Sequence, residues 1–192
     1  MAEFKMGFIG TGNMGSALAR AAAKSGERML LANRTPEKAE ALAAVLGAKV
    51  GTNLQAAACE YIFLGVKPQM LPALLDELRP ALLERTDRFL LVSMAAGVKT
   101  GTIRQALGFD CPVVRIMPNL PVASGTGVIL LSPGSQVMED ELCELERLLQ
   151  AAGLLMRMPE GQIDAGSAVS GCGPAYVYLF LDALSNGGVA CG

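Results

Sequence analysis

Short apolar runs alternate along the chain with longer stretches in which apolar side chains recur at helical spacing. The runs Lys5–Ile9, Arg28–Ala32, Tyr61–Val66, Phe89–Ser93 and Val113–Met117 are rich in β-branched, aromatic and aliphatic residues, and each closes on a turn signal. Runs apolar on both faces predict strands of a parallel sheet covered by helices on either side. Met14–Ser25, Pro36–Leu46, Leu71–Leu83 and Thr102–Leu107 read as the helices between them. Thr35-Pro36-Glu37 offers an N-cap, a proline at the first helical position and an early acid, while Gly47 and Gly108 stand where their helices should stop. Strand, crossover helix and parallel strand in repetition give an α/β chain with a Rossmann-like, doubly wound, mostly parallel sheet.

The alternation continues with a strand over Gly125–Leu131 and an amphipathic helix over Met138–Ala152, whose Leu142, Leu145, Leu148 and Leu149 share one face. A short strand near Leu154–Met158 and a helix-like stretch from Ile163 follow. Ser170-Gly-Cys-Gly-Pro-Ala-Tyr then leads into an apolar helix over Ala175–Leu184. The closing Asn186-Gly-Gly-Val-Ala-Cys-Gly offers that helix no later partner, so its apolar face is expected to pack on another chain or on further residues.

Composition narrows the function. With 192 residues, 52% of them apolar, the chain suits one ordinary domain, alone or with a small appendage, and can bury a sizeable core. Sixteen Lys and Arg against 18 Asp and Glu leave a charge of −2 without a basic block, which argues against nucleic acid or an anionic membrane as a partner. No histidine is present, which excludes a Ser-His-Asp triad and a histidine-containing zinc site within these residues. The five cysteines are scattered and never spaced C-x-x-C, so no metal site and no disulfide framework is expected. A reduced, cytoplasmic setting fits, and the first residues carry neither the basic region nor the apolar length of a secretion signal.

The chemistry lies in glycines. Gly7-Phe-Ile-Gly10-Thr-Gly12-Asn-Met-Gly15 places G-x-G-x-x-G directly after a predicted strand and at the start of a predicted helix. In that context Gly10 makes a tight turn, Gly12 admits a pyrophosphate to the backbone, Gly15 lets helix and strand pack closely, and the helix N-terminus faces the negative charge. At the end of the second strand, where an NAD site usually holds an acid, stand Asn33, Arg34 and Thr35. A guanidinium fork flanked by neutral donors suits the 2′-phosphate of NADP, so NADP(H) is expected in preference to NAD(H). The other reading of Arg34 is a solvated arginine ahead of the helix. Three more loops lie at predicted strand ends: Gly65-Val66-Lys67-Pro68, Ser93-Met94-Ala95-Ala96-Gly97 and Met117-Pro118-Asn119-Leu120-Pro121. Each taken alone is also compatible with ordinary turn chemistry.

Taken in order, Gly7-Phe-Ile-Gly-Thr-Gly-Asn-Met-Gly, Ala32-Asn-Arg-Thr, Val66-Lys-Pro-Gln, Met94-Ala-Ala-Gly-Val, Arg115-Ile-Met-Pro-Asn-Leu-Pro and Ser170-Gly-Cys-Gly-Pro-Ala-Tyr closely resemble pyrroline-5-carboxylate reductases. The resemblance spans essentially the whole chain and implies hydride transfer from NADPH to the imine carbon of 1-pyrroline-5-carboxylate, giving L-proline in the last step of proline biosynthesis. It implies an NADP-binding domain over residues 1–160 and, over 161–192, the start of an all-helical domain for dimerisation and substrate binding. By the same resemblance, Gly10, Thr11, Gly12, Asn13 and Met14 hold the pyrophosphate, Asn33, Arg34 and Thr35 the adenosine ribose and its phosphate, and Asn53 the adenosine side. Val66, Lys67 and Pro68 with Ala95, Ala96 and Gly97 take the rest of the cofactor, and Asn119 faces the nicotinamide and substrate. Cys172 stands where the family's motif has its second serine.

The family continues into a helical bundle with a Ser-Pro-Gly-Gly-Thr-Thr-like substrate segment, which residues 1–192 do not contain. The resemblance therefore implies a shortened reductase that lacks part of the substrate site, with its proton donor beyond residue 192, and that binds NADPH while reducing the imine poorly or not at all. A homodimer or larger homo-oligomer built through the helical region is expected. Two other readings stay open: an NADP-dependent enzyme of the 3-hydroxyacid dehydrogenase type, and a noncatalytic NADP-binding protein.

Overall fold

Strands buried on both faces require a helix layer on each side, and that is the arrangement found. The structure, a computed structural model, describes residues 3–192. In chain order the elements are β1 (Met6–Ile9), α1 (Asn13–Ala23), β2 (Met29–Ala32), α2 (Pro36–Leu46), β3 (Lys49–Val50), α3 (Asn53–Ala56), β4 (Tyr61–Leu64), α4 (Leu71–Leu83), β5 (Leu90–Ser93), α5 (Thr100–Leu107), β6 (Val113–Pro118), β7 (Gly127–Pro133), α6 (Glu139–Leu149), β8 (Gly153–Arg157), α7 (Ile163–Ser170) and α8 (Gly173–Ala190).

The strands form one eight-stranded sheet ordered β3-β2-β1-β4-β5-β6-β7-β8. All neighbours run parallel except β6 and β7, which are antiparallel. The chain starts in the middle, winds outward to β3 and returns past β1 to β4. The crevice at the carboxyl ends of β1 and β4 is therefore the topological switch point, where open α/β sheets bind ligands.

Alternation along each strand sends side chains into two separate cores. Met6 and Phe8 of β1 join Leu18, Leu42 and Leu145 on the α1, α2 and α6 face. Ile9 joins Leu75, Leu78 and Ile103 on the α4 and α5 face. The rings of Phe8 and Phe63 stack across β1 and β4 with centroids 4.2 Å apart and planes 2° from parallel.

Pro36–Leu46 and Leu71–Leu83 form the helices expected, and α2 and α5 end at Gly47 and Gly108, both left-handed. Thr35 occupies the N-cap of α2, yet its side chain makes no capping bond. The strand expected over Gly125–Leu131 is displaced to Gly127–Pro133, because Leu120–Ser124 coil into a 3-10 turn that Gly125 closes at φ +80°. The two-residue β3 and the single turn of α3 carry too little periodicity to be read from sequence. The apolar helix read over Ala175–Leu184 extends to Ala190 and runs through Gly187 and Gly188. Glycine inside a helix costs about 1 kcal/mol, which does not break an established ladder. No residue of α8 is buried.

Candidate cofactor site

Sharp exit from β1 is what aims α1 at the crevice. Gly10 adopts φ +97°, and a Cβ there would come within 2.6 Å of the Gly65 carbonyl oxygen, so neither the torsion nor the space accepts another side chain. At Gly15 a Cβ would collide with the Gly10 carbonyl oxygen, which fixes how tightly α1 sits on its own loop. Gly12 differs from both: a Cβ there would meet no protein atom within 4 Å. The fold alone does not demand glycine at position 12. Gly12 is the N-cap of α1 and supplies no side chain, and no acid lies in the first turn, so the positive end of the helix is left without a protein anion.

Thr11 is buried, and its hydroxyl oxygen has no hydrogen-bond partner among the described residues. Its backbone N–H donates to Oδ1 of Asn33 at 3.0 Å. Asn33 Nδ2 in turn donates to the Thr35 carbonyl at 2.9 Å. The amide expected to serve the ribose phosphate thus ties the glycine loop to the end of β2. Arg34 and Thr35 remain exposed beside it, and Arg34 forms no ion pair among the described residues.

Asn13 and Met14 form the first turn of α1. Asn53 opens α3 behind a capping box made by Thr52 and Gln55, and its Nδ2 donates to both carboxylate oxygens of Glu77 at 3.1 and 3.2 Å. Val66, Lys67 and Pro68 follow β4 into a 3-10 turn, with Lys67 exposed. Ala95 is buried in the α4–α5 core, whereas Ala96 and Gly97 are exposed. Asn119, at the end of β6, is also buried: its Nδ2 donates to the Ser170 carbonyl and its Oδ1 accepts from the Val128 N–H, each at 2.8 Å. In this structure the side chain expected to face reactants fastens the β6 loop to β7 and to the end of α7.

Comparison with known proteins decides the family. Residues 5–97 match the family described as NADP oxidoreductase, coenzyme F420-dependent, and residues 160–192 match the family described as pyrroline-5-carboxylate reductase dimerisation. Pyrroline-5-carboxylate reductase 3 of Danio rerio is 37% identical over 201 aligned residues, covering 99% of this chain and 67% of the relative. The chain belongs to the pyrroline-5-carboxylate reductase family.

Solved structures of the family agree. The pyrroline-5-carboxylate reductase of Coxiella burnetii superposes with a TM-score of 0.89 at 30% identity, over 97% of this chain and 71% of that one. The Plasmodium falciparum enzyme, solved with NADP bound, superposes with a TM-score of 0.85 at 29% identity over 100% of this chain and 71% of that one. The family to which the chain belongs consists of NAD(P)-dependent oxidoreductases.

Within this reductase-family chain, three contacts invisible to motif reading join the segment after β8 to α5, to β6 and to the loop that follows β6. Thr100 at the start of α5 gives its N–H to Glu160 at 2.6 Å. Arg115 in β6 donates to Oδ1 of Asp164 at 2.6 Å. The third is the bond from Asn119 to Ser170. A charged residue inside an otherwise apolar strand, Val-Val-Arg-Ile-Met, is the signal that would have flagged Arg115. Cys172 is exposed at the N-cap of α8. Cys59 and Cys111 are buried thiols pushed up to about 11 by desolvation, away from the thiolate form that reacts. No helix among the described residues is long and apolar enough to cross a membrane.

Proposed function

We propose that this chain binds NADP(H), in preference to NAD(H), across the carboxyl ends of β1, β4, β5 and β6, and that it serves the reduction of 1-pyrroline-5-carboxylate to L-proline, the last step of proline biosynthesis. One observation carries the cofactor reading: Gly12 needs no glycine on the protein's own account, yet stands bare at the uncapped N-terminus of α1. A pyrophosphate approaching the backbone supplies the missing reason. The N–H groups of Gly12, Asn13 and Met14 are the donors for it, beside Gly10, and the unpartnered Thr11 hydroxyl is a further one.

Arg34 with Thr35 takes the 2′-phosphate, and Asn33 holds the loop that presents them. Asn53 borders the adenosine side. Val66, Lys67, Pro68, Ala95, Ala96 and Gly97 line the course of the cofactor toward β6, Lys67 as a charge and Ala95 through its backbone. Asn119 shapes the wall beside the nicotinamide. Bound NADPH supplies the hydride. The residues of this chain orient its ring and exclude water, which is most of what a protonated cyclic imine requires before it accepts hydride. A second copy of the chain covers the C-terminal helical region, residues 161–192, and the assembly works in the cytoplasm.

The test is NADPH oxidation in the presence of 1-pyrroline-5-carboxylate, followed at the nicotinamide absorbance, with proline measured as product. Imine-dependent oxidation with matching proline supports the reading. NADPH binding with neither oxidation nor proline from this chain or any longer product of its gene overturns the substrate assignment.

A further inference from the structure

We infer that Arg115 is a positioning residue for the nicotinamide end of the cofactor, acting through Asp164 to hold α7 as a splint along β6; this rests on the cofactor reading above. Arg115 is 1% exposed in the middle of a strand whose neighbours Val114 and Ile116 point into the α1–α6 core. Strand alternation turns Arg115 to the other face of the sheet, the one that α7 covers. A Cβ on Gly166, halfway along α7, would press within 2.7 Å of Leu130 Cδ1 on β7, so the helix lies flat against the sheet.

Both ends of α7 are fastened to one stretch of chain, β6 and the residue that follows it. Asp164 in its first turn meets Arg115, and Ser170, its last residue, meets Asn119. Asp164 and Ser170 lie about 9 Å apart along one rigid helix and Arg115 and Asn119 about 13 Å apart along the extended chain, and the side chains of Arg115 and Asn119 make up the difference. Burying a guanidinium is costly unless a partner repays it, and a simple packing role is filled more cheaply by an aliphatic residue. Arg115 Nε and Nη1 are buried without partners among the described residues, which leaves Asp164 as the acceptor that sets the side chain's direction. The object held is the Met117-Pro118-Asn119 loop, which closes the crevice at the end of the sheet away from the adenosine-binding β2.

The test separates the two ends of the cofactor. The intact chain and its Asp164→Ala variant are titrated with NADPH and with 2′,5′-ADP, which carries the adenosine half alone. Asp164→Ala leaves a buried guanidinium without its acceptor, which destabilises the chain, so a melting curve first confirms that each variant is folded, and Asp164→Asn carries the test where Asp164→Ala does not fold. Weakening of NADPH by about fivefold or more with 2′,5′-ADP unchanged supports the inference, as does intermediate NADPH affinity in Asp164→Asn, which keeps an acceptor oxygen. Equal shifts for both ligands, or none for either, overturn it. Wild-type chain that binds neither ligand overturns the cofactor reading itself, an outcome the variants cannot mimic.

Discussion

The sheet and the last helix are built from the same apolar residue types and meet opposite fates. Every residue of β1, β2, β4 and β5 is buried, whereas α8 exposes Tyr176, Tyr178, Leu179, Phe180, Leu181 and Leu184 with no buried residue at all. A helix apolar all round belongs in an interior, and within these residues α8 has none. Apolar pattern therefore reports that a side chain is destined to be buried but not whether its partner lies in the same chain or outside it, as the match of residues 160–192 to a dimerisation family makes concrete.

Removing one phenyl ring from each region should affect the two very differently. Phe63→Ala, which empties a fully buried and stacked position, should cost about 3–5 kcal/mol in chemical denaturation. Phe180→Ala, at a side chain 64% exposed in the single chain, should change stability of the dilute chain by less than about 0.5 kcal/mol. Its effect belongs in sedimentation, where loss of self-association is expected. A large stability loss from Phe180→Ala in dilute monomer would erase the distinction between the two regions.

Next in size is the contrast among glycines. Gly10→Ala should cost about 1–3 kcal/mol, since the left-handed torsion and the Gly65 carbonyl both oppose it. Gly12→Val should leave the melting curve nearly unchanged and abolish NADPH binding. Arg34→Asp should move the ratio of NADPH to NADH affinity by about tenfold or more toward NADH, because a carboxylate repels the 2′-phosphate and accepts from the free ribose hydroxyl.

The smallest effect is electrostatic. Hydrogen bonds from Arg85 and Arg147 hold Asp87 and Glu144 below the ordinary carboxylate range. A depressed folded-state pKa contributes stability that is present above the unfolded value and is lost as pH falls through the folded one. Melting temperature should therefore decline between about pH 5 and 3, with each exposed pair accounting for at most about 1 kcal/mol. Arg147→Met should flatten the Glu144 part of that decline.

Sequence carried the body of the fold because long elements repeat their signal: the eleven residues of α2 are framed by proline, acid and glycine punctuation, and the thirteen of α4 repeat their leucines at helical spacing behind a proline in the first turn. β3 and α3 have too few residues to repeat anything. The glycine fingerprint was legible for the same reason as α2, since strand, turn and helix constrain one another. Roles of individual amides were not, because Asn33 and Asn119 look alike whether they face a ligand or brace a loop, and only the atoms they reach, Thr11 N–H in one case and the Ser170 carbonyl in the other, distinguish the two. The long-range pairs of Arg115 and Thr100 with residues 49 and 60 positions away lie beyond any periodicity.

On the function proposed above, the bare N-terminus of α1 and the acid-free end of β2 form a site for NADP(H). Calorimetric titration of the chain with NADPH and with NADH, at one salt concentration, tests it most directly. Saturable binding of NADPH, tighter than NADH by about tenfold or more, is the expected result. Absence of saturable NADPH binding, or equal affinity for the two cofactors, contradicts it.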